Sequence, residues 1–169
     1  MMIPQTKWMD RKFVFEFPVG HFPMIVERLL GTPSRIEDMT RAIPAVILTK
    51  RLGDAWSIQE HAGHLIDLEE LHNGRIDDYL ANAGTLRGWD PANRKTYEAN
   101  HNARPFGEIK DQFRRVRKEF VGRLLYYDEE MLSRSALHPR LKIPMRLVDM
   151  AFFIAEHDDH HLARMRGVL

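Results

Sequence analysis

Cysteine is absent from the 169 residues. That excludes disulfides, a thiolate nucleophile and any cysteine-based zinc cage, so a bound metal must rest on nitrogen and oxygen ligands. A surplus of either charge is missing too, since 25 Lys and Arg stand against 24 Asp and Glu and leave a net charge of +1. No broad electrostatic footprint for nucleic acid or an anionic membrane follows, and neither partner is expected. Apolar runs such as Ala45-Val46-Ile47-Leu48 and Ala151-Phe152-Phe153-Ile154-Ala155 fall far short of the roughly 20 residues that cross a bilayer. The start, Met1-Met2-Ile3-Pro4-Gln5, shows no basic stretch leading into an apolar core, so a cytoplasmic setting is expected. What is present, 44% hydrophobic residues, suffices for a single domain over 1–169 whose core needs no staples.

Residues 1–20 carry Phe13, Phe15 and Phe17 in alternation and read as an extended lead-in lying on the body of the domain. Helical period starts at Phe22 and takes in Ile25, Val26, Leu29 and Leu30, with Gly31-Thr32-Pro33 expected to stop it. Ser34 and Glu37 then cap a kinked continuation edged by Ile36, Met39 and Ile43, up to Pro44. Ser57-Ile58-Gln59-Glu60 is a capping box, in which serine and glutamate each satisfy the other's free backbone N–H. From it, Ile58, Ala62, Leu65, Leu68, Ile76, Tyr79 and Leu80 keep a 3.6-residue period to about Ala83. Residues 86–104, with Gly88, Pro91 and several asparagines, read as a loop suited to a lid. Another helix opens near Pro105 and runs to about Tyr127 on Phe106, Ile109, Phe113, Val116, Phe120 and Leu124. Pro144 suits the first turn of a last helix reaching about Arg166, with Leu147, Met150, Ala151, Ile154, Asp158 and Met165 inward. No strand competes. Four major helices predict an all-α four-helix bundle with ligands projecting inward.

His157 and His161 stand four residues apart on the last helix, so both fall on one face, at the edge of the apolar stripe centred near Ile154. Two imidazoles one turn apart in a core ask for a shared partner, and a metal ion is the economical one, with a third ligand from another helix. Hydrogen bonds to backbone or water are the plainer alternative for a bare His-x-x-x-His. His61 and His64 also lie a turn apart, on the helix opened by the capping box, and periodicity does not choose between them. His160, on a flank with Phe153 and Arg164, is a candidate donor behind the ligands. His21, His72, His101 and His138 show no partner pattern and read as surface or packing residues. Asp158, facing inward, either orients an imidazole or pairs with an arginine from another helix. Arg114-Arg115-Val116-Arg117-Lys118 is interleaved with Glu108, Asp111 and Glu119 and reads as a solvated helix face.

Trp56-Ser57-Ile58-Gln59-Glu60-His61-Ala62-Gly63-His64-Leu65, followed much later by Phe153-Ile154-Ala155-Glu156-His157-Asp158-Asp159-His160-His161-Leu162-Ala163, resembles the DinB-like (DinB/YfiT-like) superfamily. The resemblance covers nearly the whole chain, more loosely over the first 50 residues and 86–104. It implies that the ligand on the earlier helix is the histidine directly before leucine, His64 here, giving the triad His64, His157 and His161. It further implies a four-helix bundle, frequently a homodimer, holding a divalent ion, zinc or nickel first, with iron or manganese as alternatives.

Three neutral imidazoles leave a divalent ion its full Lewis acidity. With no cysteine in the chain, a sulfur nucleophile must come from a cosubstrate. The expected function is therefore a metal-dependent enzyme acting on a small molecule, either a transferase using a low-molecular-weight thiol or a hydrolase. The alternative is a non-catalytic bundle tied together by its ion, serving in stress response or dimerisation. The general base is left open among Asp158, His160 and His61.

Overall fold

The first long helix contains a proline that ought to break it. In the structure, a computed structural model describing residues 3–169, α1 runs uninterrupted over Phe22–Thr40 with Pro33 inside it. Proline at 33 deprives the carbonyl four residues back, that of Leu29, of its helical donor. Arg117 replaces that donor from across the bundle, its Nη1 donating to the Leu29 carbonyl at 3.3 Å. The expected stop at Gly31-Thr32-Pro33 and cap at Ser34 are thus overturned by a tertiary contact.

A short α2, Ala45–Leu48, leads to α3, Ile58–Asp67. The capping box forms as read. Ser57 Oγ accepts the Glu60 N–H at 3.1 Å, and Glu60 Oε2 accepts the Ser57 N–H at 2.9 Å. The long helix expected from there is two segments, α3 and α4 (Glu69–Leu80). They join through Leu68, which keeps right-handed helical backbone. Its N–H reaches the His64 carbonyl at 3.1 Å, and its own carbonyl accepts from His72 at 2.9 Å.

Residues 86–104 are not an open loop. They hold α5, Arg94–Glu98, and a 3-10 turn at His101–Ala103, anchored by buried Leu86, Thr96 and His101. Gln59 Nε2 ties the segment to α3 by donating to the Arg104 carbonyl at 2.7 Å. After α6, Phe106–Leu125, and α7, Glu129–Ser133, a small antiparallel hairpin corrects the expectation of no strand. Its strands are β1, Ser135–Leu137, and β2, Pro144–Arg146, with Ala136 opposite Met145. Pro144 therefore opens β2, a place proline tolerates at a strand's first residue. The last helix, α8, begins three residues later and spans Leu147–Arg166. Asp149 Oδ2 accepts the Arg146 N–H at its start, at 2.8 Å.

In the bundle α1 packs on α6 and α8, and α3 packs on the same two helices. The core falls into two apolar patches. One gathers Leu29, Ile76, Phe120, Leu124, Ala151 and Ile154, and the other Ile36, Ile58, Leu65, Ile109, Phe113 and Met165. Between the patches on α1, α6 and α8 stand Thr32, Arg117 and Asp158. Arg117, fully buried, donates to Asp158 Oδ1 at 3.0 Å and to Glu69 Oε1 of α4 at 2.6 Å. Thr32 Oγ1 donates to Asp158 Oδ2 at 2.7 Å. This charged layer links four helices, and its geometry is of the hydrogen-bonded kind that offsets the cost of burying charge.

The lead-in lies along α8 and includes 3-10 turns at Trp8–Asp10 and Val19–His21. Trp8 and Phe13 pack on Phe153 with ring centroids 5.0 and 4.9 Å apart, and Arg11 pairs with Glu156. Met1 and Met2 of the lead-in lie outside the described residues. Among the described residues no helix is long and apolar enough to cross a membrane.

Candidate metal centre

Packing of α3 on α8 brings His64 to His157 and His161. One ligand nitrogen from each histidine lies within 4.8 Å of the other two. Nε2 of His157 and Nε2 of His161 are 3.1 Å apart. Two nitrogens each bonded to one ion at about 2.1 Å stand about 3.0 to 3.4 Å apart for angles between a right angle and the tetrahedral one. The pair thus has the separation of two ligands sharing a cation.

For two of the three rings, the atoms behind them set which nitrogen faces the centre. His64 Nδ1 is 3.0 Å from Thr96 Oγ1, and His161 Nδ1 is 2.8 Å from His61 Nδ1. A ligating imidazole presents a bare nitrogen to the ion and carries its proton on the other. In that state His64 donates to the Thr96 hydroxyl and His161 donates to His61. His61 would then be the acceptor that orients His161. His64 and His161 are 4% and 6% exposed, while His157 is only partly covered. Burial, the largest cause, pushes His64 down to about 3 and His61 to about 4, and holds His157 and His161 well below the ordinary imidazole value. All four are neutral near pH 7, the form that binds metals.

Aromatic rings wall the centre. Trp56 lies 4.6 Å from the His64 ring and nearly parallel to that of His161 at 6.1 Å. Trp8, from the lead-in, meets His157 edge-on at 4.8 Å. Behind α3, a Cβ on Gly63 would overlap the His101 ring, and His101 Nε2 bonds Asp67 Oδ2 at 2.8 Å. Glycine at 63 is thus what allows the 86–104 segment, with Thr96, to close on the histidines.

The remaining residues singled out from the sequence separate clearly. Asp158 pairs with Arg117 rather than orienting an imidazole. His160 faces the lead-in, with Nδ1 at 3.0 Å from Gln5 Nε2, and hydrogen-bonds none of the three. His72, His101 and His138 are buried, and of the four histidines read as surface or packing residues only His21 is exposed. The basic run on α6 is solvated at Arg114, Arg115 and Lys118 but not at Arg117. That exception was readable, since 117 falls in the stripe of Phe113, Phe120 and Leu124. Trp56 entered only as the first residue of the family motif, and Thr96 was not singled out, since it lies in a segment without periodicity.

A mostly helical bundle with a histidine cluster between its second and last long helices defines a recognisable class. The family model of the DinB superfamily matches residues 28–165, and the chain belongs to that superfamily. Among solved structures, YfiT from Bacillus subtilis, described as a probable metal-dependent hydrolase with an unusual four-helix bundle topology, superposes with a TM-score of 0.79. It is 14% identical, and the match covers 94% of this chain and 91% of that one. No curated protein matches.

Proposed function

We propose that His64, His157 and His161 hold a divalent ion, zinc or nickel first, and that the protein is a metal-dependent enzyme acting on a small molecule. The observation that carries this reading is the 3.1 Å approach of two Nε2 atoms with a third imidazole alongside. Without a shared cation, two bare nitrogens would face each other, or one would spend its proton on the other. A bound divalent ion supplies Lewis acidity to a water or thiol at the site. The chain's own part is positional: Thr96 and His61 fix the tautomers of His64 and His161, and Trp56 and Trp8 exclude bulk water around them. Because the chain holds no cysteine, a sulfur nucleophile comes from a cosubstrate, so the two reactions proposed are hydrolysis and transfer of a low-molecular-weight thiol. YfiT's description as a probable hydrolase supports the first.

A second reading, a non-catalytic bundle fastened by its ion, draws support from the low exposure of His64 and His161. Protein purified without a nickel column, loaded with zinc or nickel and screened for ester and amide hydrolysis and for thiol transfer, separates the two. The enzymatic reading predicts turnover that disappears on chelation and in His161→Ala. Turnover in neither screen, with chelation lowering only the Tm, supports the fastening role.

A further inference from the structure

His157 also lines a second space, a cavity of about 70 Å³ bounded by Trp8, Trp89, Phe153, Arg75, Arg140 and His138. Among the described residues two arginines and no acid line it. Arg75 is 3% exposed, and its hydrogen bond is Nε to the Arg87 carbonyl at 3.2 Å. Arg140 holds a buried Nη2 with no acceptor and stacks over Trp8 and Phe153, its guanidinium carbon 5.7 Å from each ring centre. Arg117, the other buried arginine, meets two carboxylates instead. Burial lowers the pKa of both cavity arginines, that of Arg75 to about 10 against the opposing charge of nearby Asp78, as befits buried guanidinium groups.

The histidines of the cavity add donors of the same kind. His138 Nδ1 accepts the backbone N–H groups of Arg140 and Leu141 at 3.3 and 3.1 Å, which fixes its proton on Nε2. Among the described residues that Nε2 is buried without an acceptor. His157, with Nε2 turned to the metal centre, carries its proton on Nδ1, and that atom is likewise buried without a partner. Buried donors are almost always satisfied. Around this space they await a species that only accepts, and a carboxylate is the small acceptor-only anion that fits paired guanidinium groups.

We propose that this cavity binds the carboxylate of the small molecule on which the metal centre acts, held by Arg75, Arg140 and the Nε2–H of His138. The proposal rests on the metal reading for its placement beside the reacting centre. At about 10–15 Å³ of such space for each water molecule, the cavity takes a carboxylate on a short chain rather than a bulky anion. Trp8, Trp89 and Phe153 would contact the chain.

Two of the chain's three tryptophans line the cavity, so their emission reports occupancy. Metal-loaded protein is titrated with propionate, with propionamide, which has the same shape without the charge, and with inorganic phosphate. Propionate is expected to change the emission saturably, and propionamide to bind at least about tenfold more weakly. Arg140→Gln and, if it folds by circular dichroism, Arg75→Gln should each weaken propionate at least about tenfold at unchanged metal content. Equal binding of propionate and propionamide, equal binding by wild type and Arg140→Gln, or no saturable change overturns the proposal. Tighter binding of phosphate overturns the carboxylate assignment. Metal measured on the same samples keeps the two readings apart. A protein that takes up no ion contradicts the metal centre, while the propionate titration still decides the anion site.

Discussion

His61 provides the sharpest test of how the histidines are wired. Its Nδ1 is 2.8 Å from His161 Nδ1, and the direction of that hydrogen bond depends on the ion. Without metal, His161 is free to carry its proton on Nε2 and leave Nδ1 bare. Metal on Nε2 forces the proton to Nδ1, where His61 is its acceptor. His61→Phe keeps the bulk and removes the partner in both states, stranding an N–H polarised by the ion in the loaded one and only a bare ring nitrogen in the metal-free one, so its cost falls mainly on the loaded state. A buried donor left without an acceptor costs about 1–3 kcal/mol, which at about 1.4 kcal/mol per decade is a loss of about 5- to 150-fold in metal affinity. Competition with a chromophoric chelator near neutral pH measures it. His61→Gln, which retains an accepting oxygen, should lose less. Affinity in His61→Phe within about twofold of wild type, or a loss matched by equal destabilisation of the metal-free protein, would refute the wiring.

Arg117→Met strands Glu69 and Asp158 between the two core patches and should cost about 3–5 kcal/mol near pH 7, lowering the Tm by about 6–20 °C for a chain of this size. Although burial favours the protonated acid, Arg117 and His72 hold the Glu69 pKa below its ordinary value. Without Arg117 that balance reverses and the folded-state pKa rises above the unfolded one, so stability is lost as pH rises through it. The deficit relative to wild type should therefore shrink between pH 7 and 5 in thermal melts; a deficit independent of pH contradicts this account. Gly63→Ala drives a methyl group into the His101 ring and should cost about 1–3 kcal/mol by denaturant unfolding. An unchanged midpoint would show that the ring moves aside freely.

Much of this was legible because periodicity and caps are local signals. The Ser57 and Glu60 capping box, the inward stripes of α6 and α8, and the one-turn spacing of His157 and His161 need only the sequence around them. What was misread depends on partners far away in the chain. Pro33 marks a stop by every local rule, yet Arg117, more than eighty positions later, accepts the task of capping the Leu29 carbonyl with its own N–H. The three-residue strands of the hairpin are too short to show alternation, and Pro144 fits a strand's first residue as well as a helix's first turn. His64 and His61 sit one turn apart on the same helix. The packing of α3 on α8 gives them different hydrogen-bond partners, and in the sequence only the family resemblance separated them. Thr96 and the buried donors around Arg140 carry no spacing signal, since loops bring them into place.

Metal content of the chain, measured by elemental analysis after purification without immobilised nickel and loading with zinc or nickel, addresses the centre directly. One ion per chain in wild type, lost in His157→Ala and in His161→Ala while both variants keep their helical content, is the predicted outcome. A folded wild type that binds no ion, or variants that retain a full equivalent, would contradict it.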